Sequence, residues 1–320
     1  MKNNAKFINK EKIEGYVYST GSNFNQLSER VTGENSKNPG TKYIGGDLDI
    51  VVDEAGLNVV TIHYAYVTET FGNGTENKTY GVLKRIIDNP DRMWINGGKD
   101  NAFKVQCTGI AIGLNDFIAA DGKKVAAPRN ENGFCTIVSE LGPEGERNTF
   151  ETDMVIEKVT HIDADPDKNI KEDFVTISGN IFGYGPVLLP ISFTVRKPEG
   201  MRYFENLDVT PAEPLFTKVW GNINCMTIKT ERKEESAFGE AAVHVYESKK
   251  REYLVTGTAK IPYDFGNEDV LTHADLNKMM QDRQIRLAEI EKRFKDRKTK
   301  TNTAAATPSA NIPQGDFVFW

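Results

Sequence analysis

The chain has 320 residues, and its 46 acidic and 40 basic side chains give a formal net charge of -6. A hydrophobic share of 38% excludes wholesale disorder, and the length suggests about two domains. No stretch approaches the roughly 18 consecutive apolar residues of a membrane helix, and the start of the chain lacks the apolar segment of a signal peptide. The mild acidity argues against a histone-like DNA binder.

The residues most often used in metal sites and catalysis are sparse. Cys107, Cys135 and Cys225 lie far apart, which predicts buried apolar residues in a reducing compartment. The acidic turn at residues 163–167 resembles a calcium loop, but Lys168 and Phe174 stand where that loop needs Gly and Glu, so we expect a solvated turn. Because familiar catalytic motifs are missing as well, we predict no catalytic residues, no metal and no cofactor.

The first 150 residues read mostly as strands. Alternating or β-branched apolar residues predict five of them, at residues 12–18, 44–52, 59–67, 103–114 and 134–141. A short helix is predicted at residues 80–87, and loops at residues 20–41 and 115–132. Three strands, a helix and two strands match the order of an OB-like Greek-key barrel.

A second copy of this order follows. Strands are predicted at residues 154–159, 174–182, 187–195, 216–228, 241–246 and 252–258, with a helical turn at residues 203–207. The triplet at residues 219–221 (Val-Trp-Gly) echoes the triplet at residues 107–109 (Cys-Thr-Gly). We therefore predict a mainly β fold with two tandem OB-like units.

The C-terminal part changes character. Thr272 and Asp275 predict a capping box that opens a helix. An apolar stripe on this helix predicts docking onto the β body or self-association, and it consists of Leu276, Met280, Leu287, Ile290 and Phe294. The predicted organisation is two β units at residues 1–150 and 151–270, a helix at 271–298, and a flexible linker with an aromatic tip at 299–320.

The last residues carry an acidic and aromatic tip formed by Asp316, Phe317, Phe319 and Trp320. An OB core followed by a linker and such a tip resembles the single-stranded DNA-binding proteins of bacteria and phages. That resemblance implies a tip that recruits replication or recombination proteins. The family tip usually carries several acids and this one carries Asp316 alone, so an end that packs on the body or inserts into a neighbouring subunit stays open.

Three internal blocks, at residues 127–134, 216–221 and 235–240, are similar to blocks in large phage proteins described as single-stranded DNA-binding. The resemblance implies a phage-type protein of DNA replication or recombination in the host cytoplasm. Its partners would be single-stranded DNA, the proteins recruited by the tip and further copies of the chain.

Binding of single strands without sequence preference needs aromatic stacking platforms and a basic track. Tyr16 and Tyr18 share the face of the first strand opposite Ile13 and Val17, which suits exposed stacking. The other predicted stacking residues are Tyr43, His63 and Trp94. The predicted phosphate contacts are Lys78, Lys84, Arg85, Lys104, Lys123, Lys124 and Arg129.

Two other functions remain open at the level of sequence. A phage virion or assembly protein built of β domains fits the acidity and the C-terminal arm, and a nuclease with scattered carboxylates is the third hypothesis. The formal charge is -2 over residues 1–150, -7 over 151–270 and +3 over 271–320. If DNA binds, this distribution favours the first unit and the C-terminal helix as its surfaces.

Overall fold

The computed structural model describes residues 7–22, 24–119, 121–168, 170–183, 187–233, 238 and 243–304. Within these ranges the chain is mainly β, as predicted, with a helix near the C-terminus. The predicted partner-binding tip, Asp316, Phe317, Phe319 and Trp320, lies outside the described residues.

The described part of the first unit contains seven strands and two helices. Its strands are β1 (Asn9–Ser19), β2 (Ser28–Val31), β3 (Lys42–Val51), β4 (Val59–Thr68), β5 (Lys104–Ile118), β6 (Lys124–Glu131) and β7 (Phe134–Ile137). Its helices are α1 (Lys78–Ile87) and α2 (Trp94–Gly97). Single 3₁₀ turns at Pro90–Arg92 and Lys99–Asn101 flank α2.

Five of these strands pair in a circuit. β1 pairs antiparallel with β3 and β5, β3 with β4, and β5 with β6. β4 and β6 complete the circuit in parallel, through only Ile62–Asn130 and His63–Glu131. This strand order, with α1 between the third and fourth strands, is that of an OB-type Greek key, and the short parallel seam makes it a partly open barrel.

The second unit repeats the arrangement with β8 (Asn148–Ile162), β9 (Phe174–Phe182), β10 (Leu188–Val195), α3 (Pro198–Glu205), β11 (Leu215–Lys233) and β12 (Val243–Thr258). β8 pairs with β9 and β11, β9 with β10, and β11 with β12, all antiparallel. β10 meets β12 in parallel through Thr194–Leu254 and Val195–Val255. The helix again lies between the third and fourth strands of the circuit.

The two units are joined by strand pairing. Residues 9–13 of β1 pair antiparallel with residues 148–152 of β8, which creates one continuous sheet in the order β7-β5-β1-β8-β11-β12. The β11–β12 hairpin also reaches the first unit, where the Cys225 N–H donates to Asn58 Oδ1 at 2.8 Å. One apolar cluster contains residues of both units, so they share a core.

Three elements differ from the sequence prediction. The predicted loop at residues 115–132 is largely the hairpin of β5 and β6, and β6 is the fifth strand of the barrel. The predicted fifth strand at residues 134–141 is the short edge strand β7. The predicted loop at residues 20–41 contains β2. This strand pairs with β3, but its largely polar sequence does not predict a strand.

The C-terminal helix is α4 (His273–Ala304), so it extends into the predicted linker. The capping box is confirmed, because the N–H groups of Thr272 and Asp275 each donate to the other's side chain at 3.2 Å. Leu276 and Met279 are buried, whereas Met280, predicted on the apolar stripe, is 43% exposed. The buried stripe therefore passes through Met279.

An ion pair ties α4 to the β body. Arg283 donates to both carboxylate oxygens of Asp116, at 2.7 and 3.1 Å, and both side chains are almost fully buried. Asp116 lies on β5 of the first unit. The predicted docking of the helix onto the β body is therefore confirmed.

Candidate functional site

The described surface contains a groove of about 800 Å³ over the joined sheet, where the two units meet. We call it the inter-unit groove. It draws residues from four adjacent strands, β5, β1, β8 and β11, and from β12. The lining residues used below are Lys10, Lys12, Thr108, Gly109, Thr149, Glu151, Lys218, Trp220, Asn222 and Thr256.

Strand register explains why these side chains share one face. Lys12 lies opposite Thr108 on one side and Thr149 on the other. Glu151 lies opposite Lys10 on β1 and Trp220 on β11. Because successive side chains of a strand point to opposite faces, residues that face one another across these pairs line a common surface.

The groove carries three lysines and one central acid. The Nζ atoms of Lys10 and Lys218 lie 2.8 and 3.0 Å from different oxygens of Glu151. Lys10 lowers the pKa of Glu151 against the effect of burial, and Lys218 adds to the lowering. Lys12 lies 2.9 Å from Glu14, which is buried.

Two exposed aromatic rings flank this charged centre. Trp220 is 38% exposed, and the Nζ atom of Lys218 lies 5.9 Å from its ring centroid. Gly257 lies beneath the indole, where an added Cβ would come within 2.5 Å of Nε1. Phe134 on β7 is 59% exposed and pairs with Thr108. Exposed rings beside lysines are the parts from which a stacking surface is built.

A buried carboxyl lies beneath the groove. Glu11 points to the side of β1 opposite Lys10 and Lys12, and neither of its carboxyl oxygens has a hydrogen-bond partner. Burial raises the pKa of Glu11 to about 8, and the charge of Arg251 on β12 opposes that rise. Tyr253 of the same strand donates to Asn130 of β6 at 3.1 Å. Buried polar groups therefore lie between the two units.

On the outer face of β3 and β4, which OB proteins commonly use for oligonucleotides, two acids bond to side chains of the same unit. Asp47 accepts from Asn25 at 2.7 Å, and its Oδ1 lies 2.8 Å from His63 Nδ1. Asp49 accepts from Ser19 at 2.8 Å, so both acids already have partners within the first unit. We call this surface the covered face.

The predicted stacking residues are not assembled on one surface. Tyr16 is buried and packs edge-on against Trp94, with ring centroids 5.4 Å apart, so the prediction of an exposed face there is wrong for Tyr16. Tyr18 is half-buried. Tyr43 contacts Tyr66 at 4.7 Å between centroids, and His63 belongs to the covered face.

Most of the predicted phosphate contacts have acidic or aromatic partners. Lys84 pairs with Asp88, Lys123 with Asp121, Lys124 with Glu291 and Arg129 with Glu131. Arg85 lies over the ring of Phe103 at 5.5 Å, Lys104 donates to the Ser139 carbonyl at 3.4 Å, and Lys78 is exposed. Within the described part of the chain, the groove lining contains none of the twelve predicted DNA-binding residues.

Two local sequence patterns contain residues that line the groove. The triplet around Trp220 echoes the triplet around Thr108, and both triplets contribute lining residues. Lys10 and Lys12 alternate at the start of the first strand, as solvent-facing residues do. Their convergence depends on the pairing of β1 with β8, which local patterns do not reveal.

The acidic turn of the second unit brings ligand-type atoms of His161, Asp163 and Asp173 within 4.8 Å of one another, all on exposed residues. A hydrogen bond that the His161 ring donates to the Glu205 carboxylate raises the pKa of His161. Ion pairing among exposed groups accounts for this arrangement, so we do not assign a metal site to these three residues.

All three cysteines are buried, as the sequence predicts for small apolar residues. Among the described residues, no helix has the length and apolar character needed to cross a membrane.

Fold and groove define a mainly β protein with two OB-type units and a lysine-rich surface that spans both. The family model described as YorF matches residues 22–293, which is most of the chain. The protein therefore belongs to the YorF family. No curated protein matches it.

Proposed function

We propose that this protein binds single-stranded DNA in the inter-unit groove and that it is not an enzyme. The observation that carries the proposal is the convergence of Lys10, Lys12 and Lys218 with the half-exposed Trp220 on one continuous sheet face. Both units contribute to that face, so a strand can follow it from one unit to the other.

The chemistry of the groove suits a flexible polyanion with exposed bases. An unpaired base stacks on the open side of an indole, and alanine substitution of such a ring costs about 1–3 kcal/mol per base. Lysine ammonium groups neutralise phosphates without reading sequence. Thr108, Thr149 and Asn222 add polar groups along the floor. The groove therefore favours binding with little sequence preference.

The biological setting of the proposal comes from the resemblance to phage single-stranded DNA-binding proteins. The protein would coat exposed strands in the host cytoplasm during replication or recombination. Asp316, Phe317, Phe319 and Trp320 would recruit other replication or recombination proteins.

The test is titration of a labelled oligothymidylate with the full chain, followed by fluorescence anisotropy. We expect binding at 50 mM salt that weakens steeply by 200 mM, since each neutralised phosphate on a single strand contributes about -0.7 to the log–log salt slope. A duplex of the same length should bind more weakly because its bases are not free to stack. Absence of binding at 50 mM salt contradicts the proposal. A large assembly seen by light scattering without any DNA affinity would favour the virion or assembly function instead.

A further inference from the structure

Glu151 occupies the centre of the inter-unit groove between two strands. Its two oxygens are divided between two ammonium groups, with Lys10 at 2.8 Å and Lys218 at 3.0 Å. The Glu151 side chain is 28% exposed, and those of Lys10 and Lys218 are 59% and 31% exposed. The Glu151 carboxylate resembles a phosphodiester in this setting. Each is a negatively charged group with two oxygens that two cations at the surface can hold.

Glu14, the other acid beside a groove lysine, behaves differently. It accepts from the Gly142 N–H and from Gln106 Nε2 as well as pairing with Lys12. The Glu14 side chain is 4% exposed, so its displacement would leave buried donors unsatisfied. Glu151 can instead turn into solvent, because its side chain is partly exposed and its ion pairs are at the surface.

We propose that Lys10 and Lys218 form a phosphate subsite of the groove, and that Glu151 holds this subsite until the phosphodiester of a single-stranded nucleic acid displaces it. This inference rests on the proposed function. The inference goes further in one respect, because the Glu151 carboxylate would limit the protein's affinity for single-stranded nucleic acid.

The position of Trp220 makes the subsite specific for a nucleotide unit rather than for an isolated anion. Trp220 lies directly across the strand pair from Glu151, and such neighbours have Cβ atoms about 5 Å apart. Lys218 lies beside the indole on the same strand face. A base stacked on Trp220 therefore places its own or an adjacent phosphate over Lys10 and Lys218.

The test compares Glu151→Gln with Glu34→Gln, which removes the same charge from an exposed loop outside the groove. Each full-length variant is titrated with an oligothymidylate and with an abasic oligonucleotide of equal length. We expect E151Q to bind both ligands about 5- to 10-fold more tightly, because no carboxylate has to be displaced before phosphate reaches Lys10 and Lys218. E34Q should stay within about twofold of the wild type. Thermal melting checks that both variants fold.

The outcomes separate the two proposals. Unchanged or weaker binding by folded E151Q, while the wild type binds DNA, overturns the phosphate subsite alone. A gain for oligothymidylate without a gain for the abasic ligand also overturns it, because the effect would then not come from phosphate. Failure of both the wild type and E151Q to bind either ligand overturns the proposed function.

Discussion

The inter-unit groove and the covered face of the first unit use charged side chains in opposite ways. On the covered face, Asp47 and Asp49 accept hydrogen bonds from side chains of the same unit. In the groove, Lys10 and Lys218 share a single acid and stay partly exposed. The strand order is the same in any OB-type unit, so it does not determine which face is free for a ligand. The partners of the charged side chains on each face determine it.

The largest expected effect concerns the carboxyl beneath the groove. Burial raises the pKa of Glu11 to about 8, so folding favours its protonated form. The contribution of protonated Glu11 to the free energy of unfolding is fully present below pH 4.5, its ordinary pKa. This contribution decreases as the pH rises and is lost as the pH passes through 8. Between pH 5 and pH 8, E11Q should gain about 3 to 4 kcal/mol relative to the wild type, because the slope approaches about 1.4 kcal/mol per pH unit between the two pKa values. Urea unfolding at several pH values measures this difference.

The contrast for this prediction is low pH. Below about pH 4.5 the advantage of E11Q should be smallest, because Glu11 is then protonated in both the folded and the unfolded chain. Parallel stability curves for E11Q and the wild type between the two pKa values would contradict the account of Glu11.

The second prediction removes the basic track of the groove. Replacing Lys10, Lys12 and Lys218 together by Met should weaken oligothymidylate binding about 100-fold at low salt and reduce the log–log salt slope by about 2, because three phosphate contacts are lost. The matched control replaces Lys78, Lys84 and Lys123 by Met, which removes the same charge outside the groove. Equal losses in the two triple variants would show that net charge, and not the groove, drives binding.

The third prediction concerns the stacking surface. W220A should weaken oligothymidylate binding about 10-fold, within the range measured for single stacked bases, and should leave abasic binding nearly unchanged. W94F is the control, because Trp94 packs against Tyr16 away from the groove. If W94F weakens binding as much as W220A does, the assignment of the groove is wrong.

The smallest effect is expected on the covered face. D47N alters the contacts with Asn25 and His63, so the free energy of unfolding should fall by about 1 kcal/mol. Its DNA affinity should stay within about twofold of the wild type, because Asp47 does not line the inter-unit groove. Anisotropy and thermal melting on the same preparation test both statements. A large loss of affinity in D47N would move the site to the conventional OB face.

Much of the fold follows from local patterns, because strands and caps are local. Apolar alternation predicts β3, β4 and β9 to within a few residues, and Thr272 with Asp275 predicts the start of α4. The fifth strand is predicted at the wrong place because residues 124–131 contain one bulky apolar residue, Val125, and Pro128, which disfavours a strand. Tyr16 was misassigned because β1 is buried on both sides, where alternation no longer separates core from surface.

The candidate site depended on information that the sequence does not hold locally. Lys10 reaches Lys218 only because β1, β8 and β11 pair across more than two hundred residues of chain. The charge distribution favoured the first unit and the C-terminal helix, yet the groove takes Lys218 and Trp220 from the acidic second unit. Net charge averages over a surface, whereas a ligand meets a few side chains.

The most direct test makes Trp220 the sole tryptophan. A W94F/W320F variant leaves one indole, at the edge of the inter-unit groove, and oligothymidylate is titrated into it at low salt. We predict quenching of Trp220 fluorescence that follows the anisotropy binding curve and reverses when salt is added. Full binding by anisotropy with unchanged Trp220 fluorescence would contradict the claim that single-stranded DNA lies in this groove.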